Sequence, residues 1–197
     1  VLKSKGNKLD RLLKEPSFTS TEAQAAGISR TTLGRYLKSG KIERIGYGLY
    51  RGTKAPKFDD FRWEDLYLAT SRVKGGIICL ISALTIYELT DEIPRQFWIA
   101  INHGTRHRST ESIRIVRMRN TTLGKTSKKF GTFELPIFDR ERCIVDAFRY
   151  STTEIAVKAL KKALAKSGKE KIDPEKLRKY AKALRIDITP YVMAVTT

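Results

Sequence analysis

The chain has 197 residues, 41% of them hydrophobic and 30% charged, and a chain of this length buries well over half of its unfolded surface without covalent staples. That composition excludes wholesale disorder, a collagen-like repeat and a disulfide scaffold. Its 39 Lys+Arg against 21 Asp+Glu leave a formal net charge of +18, which points to a polyanion as partner because phosphate contacts release condensed counterions and act at long range.

The charge is uneven. Residues 1–57 hold 13 basic and 4 acidic side chains, residues 58–150 hold 15 and 12, and residues 151–197 hold 11 and 5, so the excess is concentrated at the two ends. No apolar run approaches the length of a membrane span, and no charged segment leads into an apolar one, so neither a transmembrane helix nor a secretory leader is expected. The chain opens on Val1 rather than Met, from which we expect a little of the native N-terminus to be trimmed. Cys79 and Cys143 each sit in an apolar run without metal-type spacing, the pattern of buried free thiols in a reducing cytoplasm.

A first short helix is predicted from Lys8 to Leu13, where Leu9, Leu12 and Leu13 share a face and Pro16 prevents extension. Thr19-Ser20-Thr21-Glu22 has the capping-box pattern, and the helix it opens, Ser20 to Ala26, stops at Gly27. Ser29 offers a second N-cap, with Ile28 and Leu33 placed as a hydrophobic staple, so a helix from Arg30 to Lys38 follows and ends at Gly40. At about 100° per residue, Leu33 and Leu37 fall on one side of it and Thr31, Arg35 and Lys38 on the other, with Gly34 on the flank. Ile42 to Ile45 and Leu49 to Arg51 then read as strands of a hairpin turning at Gly46-Tyr47-Gly48.

Helix, turn, helix and basic hairpin together predict a winged helix-turn-helix over residues 1–57. The candidate DNA-binding residues are Ser29, Arg30, Thr31, Thr32, Arg35, Lys38, Lys41, Arg44, Tyr47 and Arg51. A guanidinium such as that of Arg35 can contact guanine in two places, the free N–H groups after Ser29 can dock a phosphate, and the hairpin tip would lie against the sugar-phosphate backbone. A plain packing module with Tyr50 as a core aromatic is the bland alternative for the same residues.

The runs Phe18-Thr19-Ser20-Thr21-Glu22-Ala23, Ala26-Gly27-Ile28-Ser29-Arg30-Thr31-Thr32-Leu33 and Gly40-Lys41-Ile42-Glu43-Arg44-Ile45-Gly46-Tyr47-Gly48-Leu49-Tyr50 resemble the N-terminal domain of the AbiEi antitoxin family. Phe97 to Ile101 and Pro136 to Phe148 are similar, more diffusely, to that family's downstream strands and helix, with Cys143 where many relatives carry Thr. The resemblance implies an antitoxin of an abortive-infection toxin-antitoxin system. Such an antitoxin represses its own operon by binding inverted repeats in duplex DNA, and it counteracts a neighbouring nucleotidyltransferase toxin without necessarily forming a stable complex.

Gly52-Thr53-Lys54-Ala55-Pro56-Lys57 has linker composition, which sets off residues 58–197 as a second, α+β domain ending in amphipathic helices. Helices are predicted at Asp60 to Val73, Ile81 to Leu89 and Arg140 to Tyr150, and strands at Ile77 to Cys79, Phe97 to Ile101, Ile113 to Arg119 and Thr132 to Phe138. Arg114 and Arg117 or Arg119 give that sheet a basic face, for which solvation is the simpler account. In the helix from Glu154 to Ser167, Val157, Leu160 and Leu164 form the predicted apolar stripe with Lys158 and Lys162 opposite. Asp173-Pro174 opens another helix, with Leu177, Ala181 and Leu184 inward and Arg178, Lys179 and Lys182 outward. Lys158, Lys162, Arg178, Lys179 and Lys182 make a candidate second basic surface, although a basic outer face is commonly only a solvated one.

Catalytic signals are thin. His103 and His107 lie in a Gly- and Arg-containing loop without an adjoining Cys or carboxylate, so no metal site is assigned. No catalytic residue and no cofactor is expected. The acidic pairs Asp59-Asp60, Glu64-Asp65 and Asp91-Glu92 leave one enzymatic alternative, a metal-dependent nuclease of mobile-element defence that uses the winged helix for targeting. General RNA binding is a third possibility, without the stacking aromatics of common RNA modules. Asp146 is expected to pair with Arg142, four residues earlier on one helix.

Overall fold

In the computed structural model the described residues are 10–56, 60–130 and 133–196. They fold into a mixed α+β structure with two sheets, of three and five strands, and the chain divides into two compact units. The first comprises Val1–Arg72 with Phe130–Phe133, the second Val73–Lys129 with Glu134–Thr197. The division by compactness therefore falls C-terminal to the change of composition at residues 52–57, and the helix that follows that linker goes with the first unit.

Local chemistry fixes the first unit. Residues 10–12 are helical, while the start of the helix predicted from Lys8 lies outside the described residues. Strand β1 (Phe18–Thr19) leads into α1 (Ser20–Ala25), whose capping box is complete: Glu22 N donates to Thr19 Oγ1 at 3.2 Å and Thr19 N donates to Glu22 Oε2 at 2.7 Å. Gly27 then takes φ +85°, a conformation that costs a residue with a Cβ. After the turn, Ser29 caps α2 (Arg30–Lys38) by accepting from Thr32 N. Ile28 and Leu33 are both buried, with Phe18, Ala23 and Ile42 completing the core and Leu12, Leu13, Tyr36, Leu37 and Tyr50 packed around it.

Strands β2 (Ile42–Gly46) and β3 (Leu49–Gly52) pair antiparallel, and β1 pairs on the other side of β3. The register shifts between Arg44 and Gly46, a bulge that sharpens the twist leading into the two-residue tip Tyr47-Gly48. Gly48, at φ +66°, supplies the left-handed position such a tip requires. Helix α3 (Phe61–Ser71), capped by Asp60, carries Trp63 and Tyr67, whose rings contact Phe130 and Phe133 of the same unit.

The five-stranded sheet has β4 (Ile77–Ile78), β5 (Phe97–Asn102), β6 (Ile113–Met118), β7 (Lys125–Phe130) and β8 (Phe133–Phe138) in the order β6-β5-β4-β8-β7, and all of it but Phe130 and Phe133 belongs to the second unit. Strands β5 and β6 are parallel, β4 and β5 antiparallel, β4 and β8 parallel. Helix α4 (Leu80–Ile86) and the long α5 (Arg140–Tyr150) pack together, and α5 also packs on α6 (Thr153–Ala165) and α7 (Pro174–Leu184). Seven consecutive residues of α5, Glu141 to Ala147, are buried, so this helix is the centre of the unit rather than its lid. Helix α8 (Thr189–Thr196) sets Tyr191 against Phe148.

Three expectations are corrected. The inward face of α6 is made by Ala156, Ala159, Leu160 and Ala163, whereas Val157 and Leu164 are only half-buried. Small side chains let α6 approach α5 closely, and that outweighs the larger but laterally placed residues. Tyr180 joins Leu177, Ala181 and Leu184 in the buried face of α7. Strand β7 was not expected, because its run Lys-Thr-Ser-Lys-Lys is polar on both faces before the buried Phe130, as suits a strand at a sheet edge. Cys79 and Cys143 are buried and free, with both thiols pushed well up by burial.

Candidate nucleic-acid interface

Because α2 buries Leu33 and leans on Leu37, its opposite face is turned outward: Arg30, Thr31, Arg35 and Lys38 are exposed and Thr32 is half-exposed. Ser29 Oγ accepts from Thr32 N at 3.1 Å and lies 2.9 Å from Thr32 Oγ1. These two hydroxyls hold each other and fix the helix start, while the Arg30 and Thr31 N–H groups of the first turn have no partner among the described residues. A Cβ built on Gly34 would meet nothing within 4 Å, so the backbone is open to close approach beside Arg35.

The hairpin continues this surface. Lys41 and Arg44 are exposed, and Tyr47 at the tip is 93% exposed. Arg44 Nε donates to the Gly46 carbonyl at 3.2 Å, and its guanidinium carbon lies 5.7 Å from the Tyr47 ring centroid. Lys41 Nζ stands 4.9 Å from the Tyr36 ring centroid. These contacts orient the cations without neutralising them. None of Arg30, Arg35, Lys38, Lys41 and Arg44 has a carboxylate partner among the described residues.

Arg51 does not belong to this surface, contrary to expectation. It is 5% exposed, its Nε donates to the Pro16 carbonyl at 2.9 Å, and its other nitrogens meet Glu64 at 2.5 Å and Glu43 at 3.8 Å. On β3, the strand between β1 and β2, its side chain points inward to where α3 presents Glu64. The residue ties the hairpin to the rest of the unit.

The second predicted surface is largely committed to carboxylates. Lys158 Nζ lies 2.6 Å from Glu154, Lys162 Nζ 2.6 Å from Asp91, and Arg178 Nη1 2.7 Å from Glu175. Glu154 and Lys158 hold each other charged, the carboxyl lowered and the ammonium raised by their shared hydrogen bond. Lys179 and Lys182 are exposed and without a carboxylate partner among the described residues.

The acidic pairs are dispersed. Asp60 caps α3 and binds Arg62, Glu64 holds Arg51 and Asp91 holds Lys162, while Asp59 lies outside the described residues. Among the described residues no three His, Cys, Asp or Glu side chains gather as a metal site would need. His103 and His107 lie in a loop, as their sequence context predicts. Sequence reasoning missed a cluster of arginines in the second unit, gathered from three distant segments: Arg117 and Arg119 at β6, Arg142 and Arg149 on α5, and Arg185 after α7.

Residues 7–51 match the family model described as transcriptional regulator, AbiEi antitoxin. The match covers the two helices and the hairpin through Arg51, the stretch that carries the specific part of the resemblance. No curated protein matches the chain. No helix among the described residues is long and apolar enough to cross a membrane.

Proposed function

Taking the match of residues 7–51 to the AbiEi antitoxin regulators as premise, we propose that the first unit is a winged helix-turn-helix that binds duplex DNA at an inverted-repeat operator and represses its own operon. The observation that carries this reading is the outward face of α2, where Thr31, Arg35 and Lys38 stand exposed, beside the exposed Lys41 and Arg44 of the hairpin, and none of these four cations has a carboxylate partner among the described residues. Helix α2 enters the major groove with Arg35 directed at base edges. Arg30, Lys38, Lys41 and Arg44 contact phosphates, and Tyr47 lies on the sugar-phosphate backbone. The unpaired N–H groups after Ser29 add a phosphate site at the positive end of the helix dipole.

The second unit, in this reading, supplies the antitoxin function toward a nucleotidyltransferase toxin encoded nearby, in a cytoplasmic system. Lys179 and Lys182 remain available for an anionic partner. A gel-shift titration on the DNA upstream of the gene, run beside a scrambled duplex at several salt concentrations, tests the DNA-binding part. The operator is expected to bind more tightly than the scrambled duplex at every salt concentration, and equal affinities would overturn the proposal. Co-expression with the neighbouring nucleotidyltransferase gene tests the antitoxin part, with rescue of growth expected.

A further inference from the structure

The second unit contains a cleft of about 450 Å³ whose lining carries five guanidiniums and one carboxylate. At its base Arg142 and Asp146 are both 2% exposed and joined by a 2.8 Å ion pair, and Arg142 also donates to the Leu123 and Asn120 carbonyls. The only carboxylate is thus already matched to the only buried guanidinium. The other four arginines, Arg117, Arg119, Arg149 and Arg185, are exposed, and no carboxylate among the described residues pairs with any of them. Arg117 is steadied by the His107 carbonyl and Arg149 by the Leu184 carbonyl. The guanidiniums of Arg119 and Arg185 have no hydrogen-bond partner among the described residues.

Four like charges around one hollow repel one another, and open solvent would ordinarily let them diverge. For one of them the backbone fixes where the side chain begins. Arg185 ends α7 at φ +56°, ψ +50°, and the Ile186 N–H reaches back to the Ala181 carbonyl at 2.9 Å. That left-handed position is normally filled by glycine or asparagine, yet the chain places an arginine there. Strain of this kind concentrates where a side chain is needed in a fixed place. Between the cations the lining is partly apolar, with Met118, Leu184 and the Tyr150 ring, so the hollow suits a ligand with an anionic part and a flat or apolar part.

We propose that this cleft binds a small multiply phosphorylated ligand of nucleotide size. Arg119 and Arg185 grip the phosphates through paired N–H donors, and Arg117 and Arg149 complete the positive rim. The volume lies within the range of small-molecule pockets, and forked guanidiniums match phosphate oxygens in geometry as well as charge. Enclosure favours a compact ligand over a nucleic-acid strand, which would track a groove rather than fill a hollow. The site lies in the other unit from the DNA-binding surface and does not rest on that reading.

Isothermal titration of the full chain with ATP, GTP, inorganic triphosphate and oligothymidylate tests the proposal. At least one of the three small phosphates is expected to bind saturably at one per chain. Its affinity should fall by about tenfold or more in Arg119→Glu and also in Arg185→Gly, and remain unchanged in Arg35→Ala. Because glycine relieves the left-handed strain, Arg185→Gly should raise the melting temperature while weakening binding, a combination that a purely structural role for Arg185 would not give. Inorganic triphosphate binding as tightly as ATP would support the site and assign recognition to the phosphates alone. The proposal is overturned if no small phosphate binds at millimolar concentration, if binding is indifferent to both substitutions, or if only oligothymidylate depends on Arg119 and Arg185.

Discussion

The two ends of the chain are both strongly basic, yet they use their charge differently. In the first unit the exposed cations of α2 and the hairpin have no carboxylate partner among the described residues, and Lys41 and Arg44 are held by aromatic rings and a carbonyl. On α6 and α7 most of the predicted surface is matched by Glu154, Asp91 and Glu175 within 2.7 Å. A count of Lys and Arg treats these regions alike, but only unpaired charge keeps a condensed-ion partner's interest. The contrast therefore predicts that sensitivity to salt and to mutation is concentrated at the N-terminal end.

The largest expected effect lies outside that contrast and calibrates it. Replacing Asp146 by Ala strands the Arg142 guanidinium in the interior and should cost about 3–5 kcal/mol, measured by denaturant unfolding. The ionised pair has its own pH dependence. Burial raises the Asp146 carboxyl to about 6 despite the pull of Arg142 and Arg149. A carboxyl whose folded value lies above its unfolded one contributes stability that is present below the unfolded value and is lost as pH rises through the folded one. The stability of the wild type relative to Asp146→Asn should thus fall between about pH 4 and pH 6, by about 1.4 kcal/mol for each unit of the shift. A flat difference would show that the Arg142 ion pair cancels the burial.

Next in size is Arg51→Ala. If this residue ties the hairpin down rather than touching DNA, the loss should be one of stability, about 1.5–3 kcal/mol, with the salt slope of operator binding unchanged in the folded fraction. A reduced slope would return Arg51 to the interface. Arg35→Ala should cost about 1–3 kcal/mol of operator affinity and relax discrimination at one base pair, with little change in stability. The smallest effects sharpen the comparison most. Lys41→Ala should lower the salt slope by about one while weakening all duplexes alike, whereas Lys158→Ala, which breaks only an exposed pair, should leave both slope and stability nearly unaltered.

The parts of the fold that could be read from the sequence are those decided within a few residues. Thr19 with Glu22, Ser29 with Thr32, and Asp173 before Pro174 are short-range chemistry, and each cap stands where the spacing places it. What escaped reading depends on residues that are distant along the chain. Arg51 looks like its basic neighbours until Pro16 and Glu64 are brought to it. Strand β7 has no alternation because one sheet neighbour, and not an apolar face, defines it. The alanines of α6 carry weight only because α5 lies close enough to use them. The arginine cleft draws on β6, α5 and the end of α7 at once, and no local pattern announces such a meeting.

The exposure of Tyr47 gives the hairpin a built-in footprint. An aromatic side chain on a two-residue tip, clear of the core and followed by glycine, is an open substrate for a protease that cuts after aromatic residues. Bound along a duplex, the same bond would be shielded. Limited digestion with chymotrypsin, with and without operator DNA, should therefore show cleavage after Tyr47 fading as the duplex is added, and would locate the hairpin on the nucleic acid with no label and no substitution.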